Sequence, residues 1–300
     1  MLRSKGDRTF DAVNTCLLIL FMLIILYPLY FTIIASISEP VDVATGKVTF
    51  WPKGFSTDAY KEVFKNKQVW VGYKNAIVYT AFGTVLSLAL TIPASYVLSK
   101  KNLGGRSVIA GYFAFTMFFG GGMIPFYLLV KNLHLLNKPY TLIILGSFSV
   151  YNMIIARVFF ETSIPISLYE AAEIDGCSQF GQFFKIALPL AKPVIAVVAL
   201  YYAVARWNDF FSGLMYVSKS EYYPLQLVLR NILLENQTSI TQVDINNISA
   251  EELLYLTRKA YMAEAMKYAL IFISSLPMLI AYPFVQKYFI KGIMVGAIKG

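Results

Sequence analysis

Long stretches without a charged residue constrain this chain more than any other feature of its sequence. They run over 13–38, 75–99, 107–130, 139–156 and 268–286. Each reaches or approaches the roughly 20 apolar residues that an α-helix needs to cross a hydrocarbon core about 30 Å thick. Because 57% of the residues are hydrophobic and only 14% are charged, the chain lacks the polar surface of a soluble globule. We therefore predict an all-α integral membrane protein.

One more membrane span, the fifth of six in chain order, is predicted over about 190–211. Its uncharged part, Pro193 to Ala205, has only 13 residues. At about 1.5 Å per residue such a helix would reach roughly 20 Å, which is too short to cross the membrane. The helix must therefore extend through Lys192, or through Arg206 and Asp209. Six spans would place both termini on the same side of the membrane.

Lysine and arginine without accompanying acids mark two segments as cytoplasmic. These segments are the turn at 100–106 and the tail at 286–300. By parity the loop at 161–189 lies on the same side, so we expect both termini to be cytoplasmic. The net charge of +9 is then explained by anchoring at the inner face of a membrane. Nucleic-acid binding is not expected, because no basic patch alternates with aromatic residues in a soluble segment.

The loop at 161–189 is predicted to begin with a short helix. Pro165 precedes Ser167 and Glu170, which have the spacing of a capping box. In such a box the serine caps the helix start and the glutamate reaches back to the serine amide. Ala171 and Ala172 continue a strong helix former.

A turn and a second short helix should follow in the same loop. Gly176 permits the sharp turn that ends the first helix. The second helix is predicted from about Ser178 to Ala187 and should stop at Pro189, which cannot donate a backbone hydrogen bond. The sequence therefore predicts a helix, turn, helix knob that projects from the membrane.

The spacing of seven residues in this loop resembles a known motif. They are Glu170, Ala171 and Ala172, then Gly176 after three residues, then Ile186, Leu188 and Pro189 after nine more. The pattern resembles the EAA loop of permease subunits of ATP-binding cassette (ABC) importers, in the binding-protein-dependent transport family. Without the resemblance, the same residues would describe a capped surface helix of an ordinary loop.

The resemblance implies a type I ABC importer transmembrane domain in a bacterial cytoplasmic membrane. It also implies that the knob is a coupling helix, which docks in a cleft of an ATP-binding subunit. The expected partners are a second and different permease chain, two ATP-binding subunits that hold ATP and magnesium, and an extracytoplasmic substrate-binding protein. Membrane lipid surrounds the assembly.

We expect no catalytic activity and no cofactor in this chain. It contains no phosphate-binding pattern GxxxxGK followed by Ser or Thr, so ATP hydrolysis is assigned to another subunit. His134 is the only histidine and is interpreted as a solvated loop residue rather than a metal ligand. A secondary transporter is the alternative, and it should carry an ion-coupling carboxylate within a span. The predicted spans contain no such residue apart from Asp209, which lies near the end of one.

Four residues close the predicted fifth span: Arg206, Trp207, Asn208 and Asp209. An ionisable residue at this depth should face the bundle interior or a watery cavity, or else lie at the interface. Arg206 and Asp209 are three residues apart, so they could pair on one helical face. Trp207 has two interpretations, a member of the aromatic belt at the membrane surface or a platform for a sugar ring.

Two further features lie within predicted spans. An asparagine facing lipid would be costly, so Asn152, next to Tyr151, should face a neighbouring helix or the transport pathway. The run at 119–125, Phe-Gly-Gly-Gly-Met-Ile-Pro, interrupts the third span. It is interpreted either as a break or kink of the helix or as a site of close helix packing.

Three segments resemble the carbohydrate-importing, maltose-type branch of these permeases. They are Trp-Asn-Asp-Phe at 207–210, Phe-Trp-Pro-Lys-Gly-Phe at 50–55 and the closing tail at 286–300. The resemblance implies an oligosaccharide or a polysaccharide-derived sugar as cargo, with another solute as the alternative. In the outer loop at 212–250, residues 231–247 are interpreted either as a contact for the binding protein or as a solvated linker.

Overall fold

The chain is mostly helical in the part that its computed structural model describes, residues 5–241 and 250–297. Within these ranges no strand forms, and the only β-type contact is an isolated bridge between Ser38 and Phe55. The all-α prediction is confirmed. The α-helices are α1 Lys5–Ser36, α2 Pro40–Ala44, α3 Asp58–Lys65, α4 Lys67–Ser99, α5 Arg106–Phe118, α6 Met123–Asn132, α7 Thr141–Ile144, α8 Val150–Ser163, α9 Ile166–Ile174, α10 Gln179–Gln182, α11 Leu188–Leu190, α12 Lys192–Trp207, α13 Phe211–Tyr216, α14 Leu225–Thr241 and α15 Ala250–Ala297.

Among the described residues, three helical stretches are individually long and apolar enough to cross a membrane. They are Thr9–Ser36 in α1, Lys67–Ser99, which is α4, and Glu251–Phe284 in α15. These helices contain most of the stretches predicted at 13–38, 75–99 and 268–286. The helix limits are wider than the uncharged stretches because charged residues at the ends continue the helices.

The third predicted span is broken, and a single helix over 107–130 is wrong. α5 and α6 meet at an angle of 110° across the glycine run. Gly122 has φ of +86°, a conformation that glycine adopts readily, and Pro125 lies in the first turn of α6. A Cβ atom built on Gly120 or Gly121 would meet nothing within 4 Å. Within this chain the run therefore breaks the helix and does not serve close helix packing.

The fourth predicted span is also divided, and a continuous helix over 139–157 is wrong. α7 ends at Ile144, and Gly146 follows with φ of +69°. α8 then starts afresh, with the Ser149 hydroxyl accepting a hydrogen bond from the Asn152 amide at 3.4 Å. A left-handed glycine followed by a serine cap ends one helix and begins another.

The fifth predicted span agrees with the length argument made from the sequence. α12 has 16 residues, begins at Lys192 and includes Arg206, and it ends before Asp209. Sixteen residues reach about 24 Å. The preceding helical stretch, Gln179–Leu190, is bent by 77° from α12.

The chain divides into two compact units. The first comprises Met1–Lys67 and Asn231–Leu276, and the second comprises Gln68–Arg230 and Pro277–Gly300. In the first unit, Ile34, Ala35, Val43 and Val48 form a small core. The larger core of the second unit joins α4, α8 and α12 with the loop at 161–189; its buried members are Ile92, Tyr96, Ala156, Phe160, Ile164, Phe183, Ala187, Ala191, Val194, Val198 and Tyr202.

The predicted outer loop contains more structure than a solvated linker would have. In α14 the side chains of Leu225, Leu227 and Val228 are at most 3% exposed. A Cβ atom on Gly72 of α4 would lie 3.0 Å from the Leu225 Cα, so a larger residue would force the two helices apart by a few tenths of an ångström. The first part of α14 therefore packs closely against α4, and the two interpretations of residues 231–247 stay predictions. Residues 242–249 of the predicted contact region lie outside the described residues.

Candidate functional site

The first helix of the loop at 161–189 does not start with the predicted capping box. α9 begins at Ile166 after Pro165, and no side chain caps it. Pro165 has φ of −60° and ψ of 136°, an extended geometry in which the chain enters the helix directly. Ser167 therefore lies inside the first turn, where its hydroxyl cannot act as the cap. The helix predicted around Glu170 is nevertheless present.

The turn predicted at Gly176 is present. Gly176 has φ of +71° and its amide donates to the Glu173 carbonyl at 3.0 Å. The Cys177 amide donates to the Ala172 carbonyl at 2.8 Å. These two hydrogen bonds form a Schellman motif, which satisfies the last carbonyls of α9 and requires a left-handed residue at this position.

The second helical stretch starts as predicted but does not stop at Pro189. The Ser178 hydroxyl caps α10 by accepting from the Gly181 amide at 3.2 Å. A π-helical turn over Phe183–Ala187 follows, in which the Leu188 amide bonds to the Phe183 carbonyl. This wider turn changes the hydrogen-bond register just before Pro189, so that proline is accommodated and the helix continues through Leu190.

One side of the loop packs on the core and the other carries exposed apolar side chains. Ala172, Phe183 and Ala187 are at most 8% exposed. Four large apolar side chains are instead more than half exposed, and we call them the loop patch: Ile166 at 63%, Ile174 at 88%, Phe180 at 79% and Phe184 at 59%. An exposed apolar patch that adjoins polar residues is typical of a protein interaction site.

The seven motif residues are divided between these two sides. Ala172 is buried, and Ile186 and Leu188 are half-buried. The others are exposed, namely Glu170, Ala171, Gly176 and Pro189. The motif thus contains positions that attach the loop to the membrane helices and positions that are free to meet another protein.

A lysine at the end of α4 connects that helix to α9. The Lys100 Nζ lies 3.3 Å from the ring centroid of Tyr169 and 4.6 Å from that of Tyr96. Burial lowers the pKa of the Lys100 ammonium, and the charge of Glu173 opposes that shift. Burial, together with the nearby Tyr96, raises the pKa of Tyr169 to about 12. The cation therefore lies between two neutral aromatic rings.

A second connection joins the ends of α4, α5 and α8. Arg106 donates from Nε to the Leu98 carbonyl at 2.9 Å and pairs through Nη2 with the Glu161 carboxylate. Arg157 donates from Nε to the same carboxylate at 2.7 Å. Burial raises the pKa of Glu161, but hydrogen bonds and charges of the two arginines outweigh it, so this pKa lies below its ordinary value.

Arg206 links three helices of the second unit. Its Nη1 donates to the Leu142 carbonyl at 2.8 Å, and its Nη2 donates to the Ser87 hydroxyl at 3.1 Å. A Cβ atom on Gly83 would lie 2.5 Å from three guanidinium atoms, so glycine makes the space for this group. Arg206 also borders a cavity of about 10 Å³, room for about one water molecule, together with Tyr79 and Asp209.

The predicted pairing of Arg206 with Asp209 is absent from the described structure. Asp209 lies beyond the end of α12, where its Oδ1 accepts from the Ser212 amide at 2.9 Å. The two residues therefore no longer share a helical face. Asp209 still acts on Arg206 through its charge, although no ion pair forms.

The remaining predicted pathway residues differ in exposure. Trp207 is 3% exposed, with its ring 6.3 Å from that of Tyr73. In this structure it is therefore neither at a lipid-facing belt nor open to a sugar. Asn152 is buried, as expected for an asparagine that avoids lipid. Tyr151 and Asn208 are exposed.

Comparison with known proteins identifies the family. Residues 68–295 match the family described as binding-protein-dependent transport system inner membrane component. The chain belongs to this family. It is an inner-membrane permease, and ATP hydrolysis belongs to a separate subunit of such systems. A permease of this kind works with a partner permease, an ATPase and a substrate-binding protein.

Relatives of the permease match it over nearly its whole length. It is similar to protein LplC of Bacillus subtilis, with 38% identity over 100% of this chain and 98% of the relative. It is similar to the polygalacturonan/rhamnogalacturonan transport system permease protein YtcP of the same organism, with 36% identity over 98% and 99%.

A solved structure shares the fold of the permease. It is described as the crystal structure of a bacterial ABC transporter involved in the import of the acidic polysaccharide alginate. The TM-score is 0.83 and the identity 37%, over 96% of this chain and 99% of the other. The type I ABC importer fold expected from the sequence is confirmed.

Sequence reasoning missed several residues that position this permease's functional elements. Lys100 and Gly83 contact partners far away in the chain, so their spacing in the sequence carries no signal. The spacing of Glu161 shows its pairing with Arg157, four residues before it, but not its pairing with Arg106. Only Arg206 was singled out, because an ionisable residue within a span is unusual.

Replacing Lys100 tests the connection between α4 and α9. We expect Lys100→Met to lower the ratio of substrate uptake to ATP hydrolysis about five-fold, because a half-buried cation–π contact stabilises by about 1 kcal/mol. Uptake and ATPase activity of the same vesicles give this ratio. Lys101→Met is the matched control, since Lys101 is exposed. Equal ratios in the two variants would contradict the assignment.

Replacing Glu161 tests the connection between α5 and α8. We expect Glu161→Gln to lower the melting temperature of the permease at pH 7 by about 2–4 °C, the shift that ~1 kcal/mol produces in a large domain. The ionised Glu161 carboxylate stabilises the fold at any pH above its ordinary pKa of 4.5. This stabilisation is lost as the pH falls through the lower pKa that the carboxyl has in the folded protein. The difference between the melting temperatures should therefore stay constant from pH 7 to about 4.5 and shrink as the pH falls further. A difference that persists at low pH would contradict the ionic explanation.

Proposed function

We propose that this permease forms part of the translocation pathway for an oligosaccharide or a polysaccharide-derived sugar in an ATP-driven importer. The observation that carries the proposal is the likeness to the alginate importer chain, at 37% identity over 96% of this chain. YtcP, whose name refers to polygalacturonan and rhamnogalacturonan, supports the same class of cargo.

The loop patch and Glu170 dock in a cleft of an ATP-binding subunit. An exposed apolar surface of this kind needs a protein partner, and the exposed glutamate adds a charged contact at its edge. The assembly contains two ATP-binding subunits that bind ATP and magnesium, a second permease that is a different chain, and an extracytoplasmic binding protein.

The loop at 161–189 and both termini lie on the cytoplasmic side. The contact of Lys100 with Tyr169 supports this topology, because it brings the basic turn at 100–106 and the loop together. Lysine and arginine residues in short loops favour the cytoplasmic side.

Transport proceeds by alternating access. ATP binding closes the ATP-binding subunits, and the docked loop moves with them. Phe183 and Ala187 carry this motion to α4, α8 and α12, because both are buried in the core that these helices share. The residues around Arg206 then line a pathway that opens outward, and ATP hydrolysis resets it. Tyr151 and Asn208 are exposed, so they are the predicted pathway residues that can meet cargo without a rearrangement.

The test is uptake by the complete importer reconstituted in vesicles with its binding protein. Labelled uronic-acid and neutral oligosaccharides are compared with amino acids and peptides. We expect ATP-dependent uptake of a saccharide and stimulation of ATPase activity by the same compound. Uptake restricted to amino acids or peptides would overturn the cargo assignment. Uptake driven by an ion gradient without ATP would indicate a secondary transporter instead.

A further inference from the structure

The chain that follows α1 folds back along the end of that helix. The Tyr27 hydroxyl donates to the Thr49 carbonyl at 3.2 Å, and the Tyr30 hydroxyl donates to the Phe50 carbonyl. The rings of Tyr27 and Phe50 lie 5.6 Å apart. Because a helix rises about 1.5 Å per residue, Tyr27 lies about 14 Å before the end of α1. The returning segment therefore lies beside the helix and not beyond it.

The helix α1 passes from exposed to buried surroundings just after Tyr30. Every residue from 9 to 30 is exposed within the chain, whereas Ile34, Ala35 and Ser36 are at most 4% exposed. The helical distance from Val13 to Tyr30 is about 26 Å, close to the ~30 Å thickness of a hydrocarbon core. The continuously exposed part of α1 thus ends near Tyr27 and Tyr30, and tyrosine is typical of the membrane–water interface.

The returning segment presents three aromatic side chains at this level. Phe50, Trp51 and Phe55 are 65%, 76% and 77% exposed. Their backbone is held in place, because the Glu39 amide donates to the Lys53 carbonyl at 2.9 Å and the Ser56 amide donates to the Ile37 carbonyl at 3.0 Å. Gly54 completes the turn with φ of +57°. The exposed rings are therefore a fixed feature of the fold.

We propose that Phe50, Trp51 and Phe55 form an aromatic anchor that lies in the lipid headgroup region of the bilayer surface at which α1 ends. Three observations favour lipid as the occupant: the level of the segment along α1, the adjacent tyrosines and the exposed Lys53, whose ammonium can reach lipid phosphates. The anchor fixes the depth of α1 in the membrane. The anchor does not depend on which cargo the permease transports.

The experiment measures the membrane depth of position 51 in the complete importer. Cys16→Ser and Cys177→Ser remove the two native thiols, and Trp51→Cys then carries a spin label in lipid nanodiscs. Collisions of the label with oxygen, which concentrates in lipid, are compared with collisions with a water-soluble nickel chelate. Lys61→Cys is the control, because Lys61 is an exposed residue of α3 in the same unit. Phe55→Cys replaces the first variant if that variant fails to assemble.

We expect the oxygen-to-nickel ratio to be several-fold higher at position 51 than at position 61, with or without the substrate-binding protein. A ratio equal to that of position 61 would place the rings in water and overturn the proposal. Protection of position 51 that arises only when the binding protein is added would also overturn it, since the occupant would then be that protein.

Discussion

Gly176→Pro is expected to abolish coupled transport while the permease still inserts and assembles. Proline fixes φ near −65° and has no amide hydrogen. It therefore cannot adopt the φ of +71° at this position or donate to the Glu173 carbonyl. A local cost of about 2–3 kcal/mol corresponds to roughly a 30- to 150-fold loss of the correctly shaped loop. The measurement is uptake and ATP hydrolysis in the same vesicles.

The chain offers a closely matched control for this substitution. Gly46 has φ of +70°, and its amide donates to the Val43 carbonyl at 3.1 Å in the same kind of turn after α2. A Cβ atom on either glycine would meet nothing within 4 Å. Gly46→Pro therefore does equal local damage away from the loop at 161–189, and uptake per ATP hydrolysed should be retained. An equal loss of coupling in both variants would mean that Gly176 has no special role.

Arg206→Met is expected to destabilise the permease by about 3 kcal/mol, because the Leu142 carbonyl and the Ser87 hydroxyl lose a charged donor inside the helix bundle. Gly83→Ala should cost about 2 kcal/mol by the same mechanism, since the added methyl group displaces the guanidinium. Thermal unfolding of the purified importer measures both effects.

The double variant Gly83→Ala, Arg206→Met tests whether the two substitutions disrupt the same contact or act independently. If Gly83 serves only to accommodate Arg206, then Gly83→Ala should cost little once Arg206 is methionine, and the two effects should not add. Gly111→Ala is the control, because a Cβ atom on this glycine of α5 would meet nothing within 4 Å. Additive losses of stability would show that the contact between Gly83 and Arg206 does not matter.

The sequence predicts best those helices that are determined by their apolar character alone. α1 and α4 follow from uncharged length, and the turn at Gly176 follows from the one residue type that tolerates a positive φ. The seven-residue motif located the loop because its members lie close together in the chain. These features depend on local information, which a single sequence contains.

The errors have two sources, which are local breaks and caps that hydropathy does not show and contacts that are distant in the chain. Hydropathy over 139–157 predicts one helix, yet Gly146 and the Ser149 cap divide it. The predicted capping box at Ser167 does not form, because α9 starts before that residue, directly after Pro165. Trp207 is buried by its contact with Tyr73, and no spacing rule connects those two positions. The roles of Lys100 and Gly83 depend in the same way on partners that only the folded chain brings near.

The most direct test of the central claim is photocrosslinking from the loop patch to the ATP-binding subunit in native membranes. A photoreactive phenylalanine analogue is placed at Phe180, which is 79% exposed, and in a matched variant at Phe55, which is 77% exposed. We predict that the ATP-binding subunit is captured from position 180 and not from position 55. Failure to capture it from position 180, or equal capture from both positions, would contradict the assignment of this loop as the coupling element.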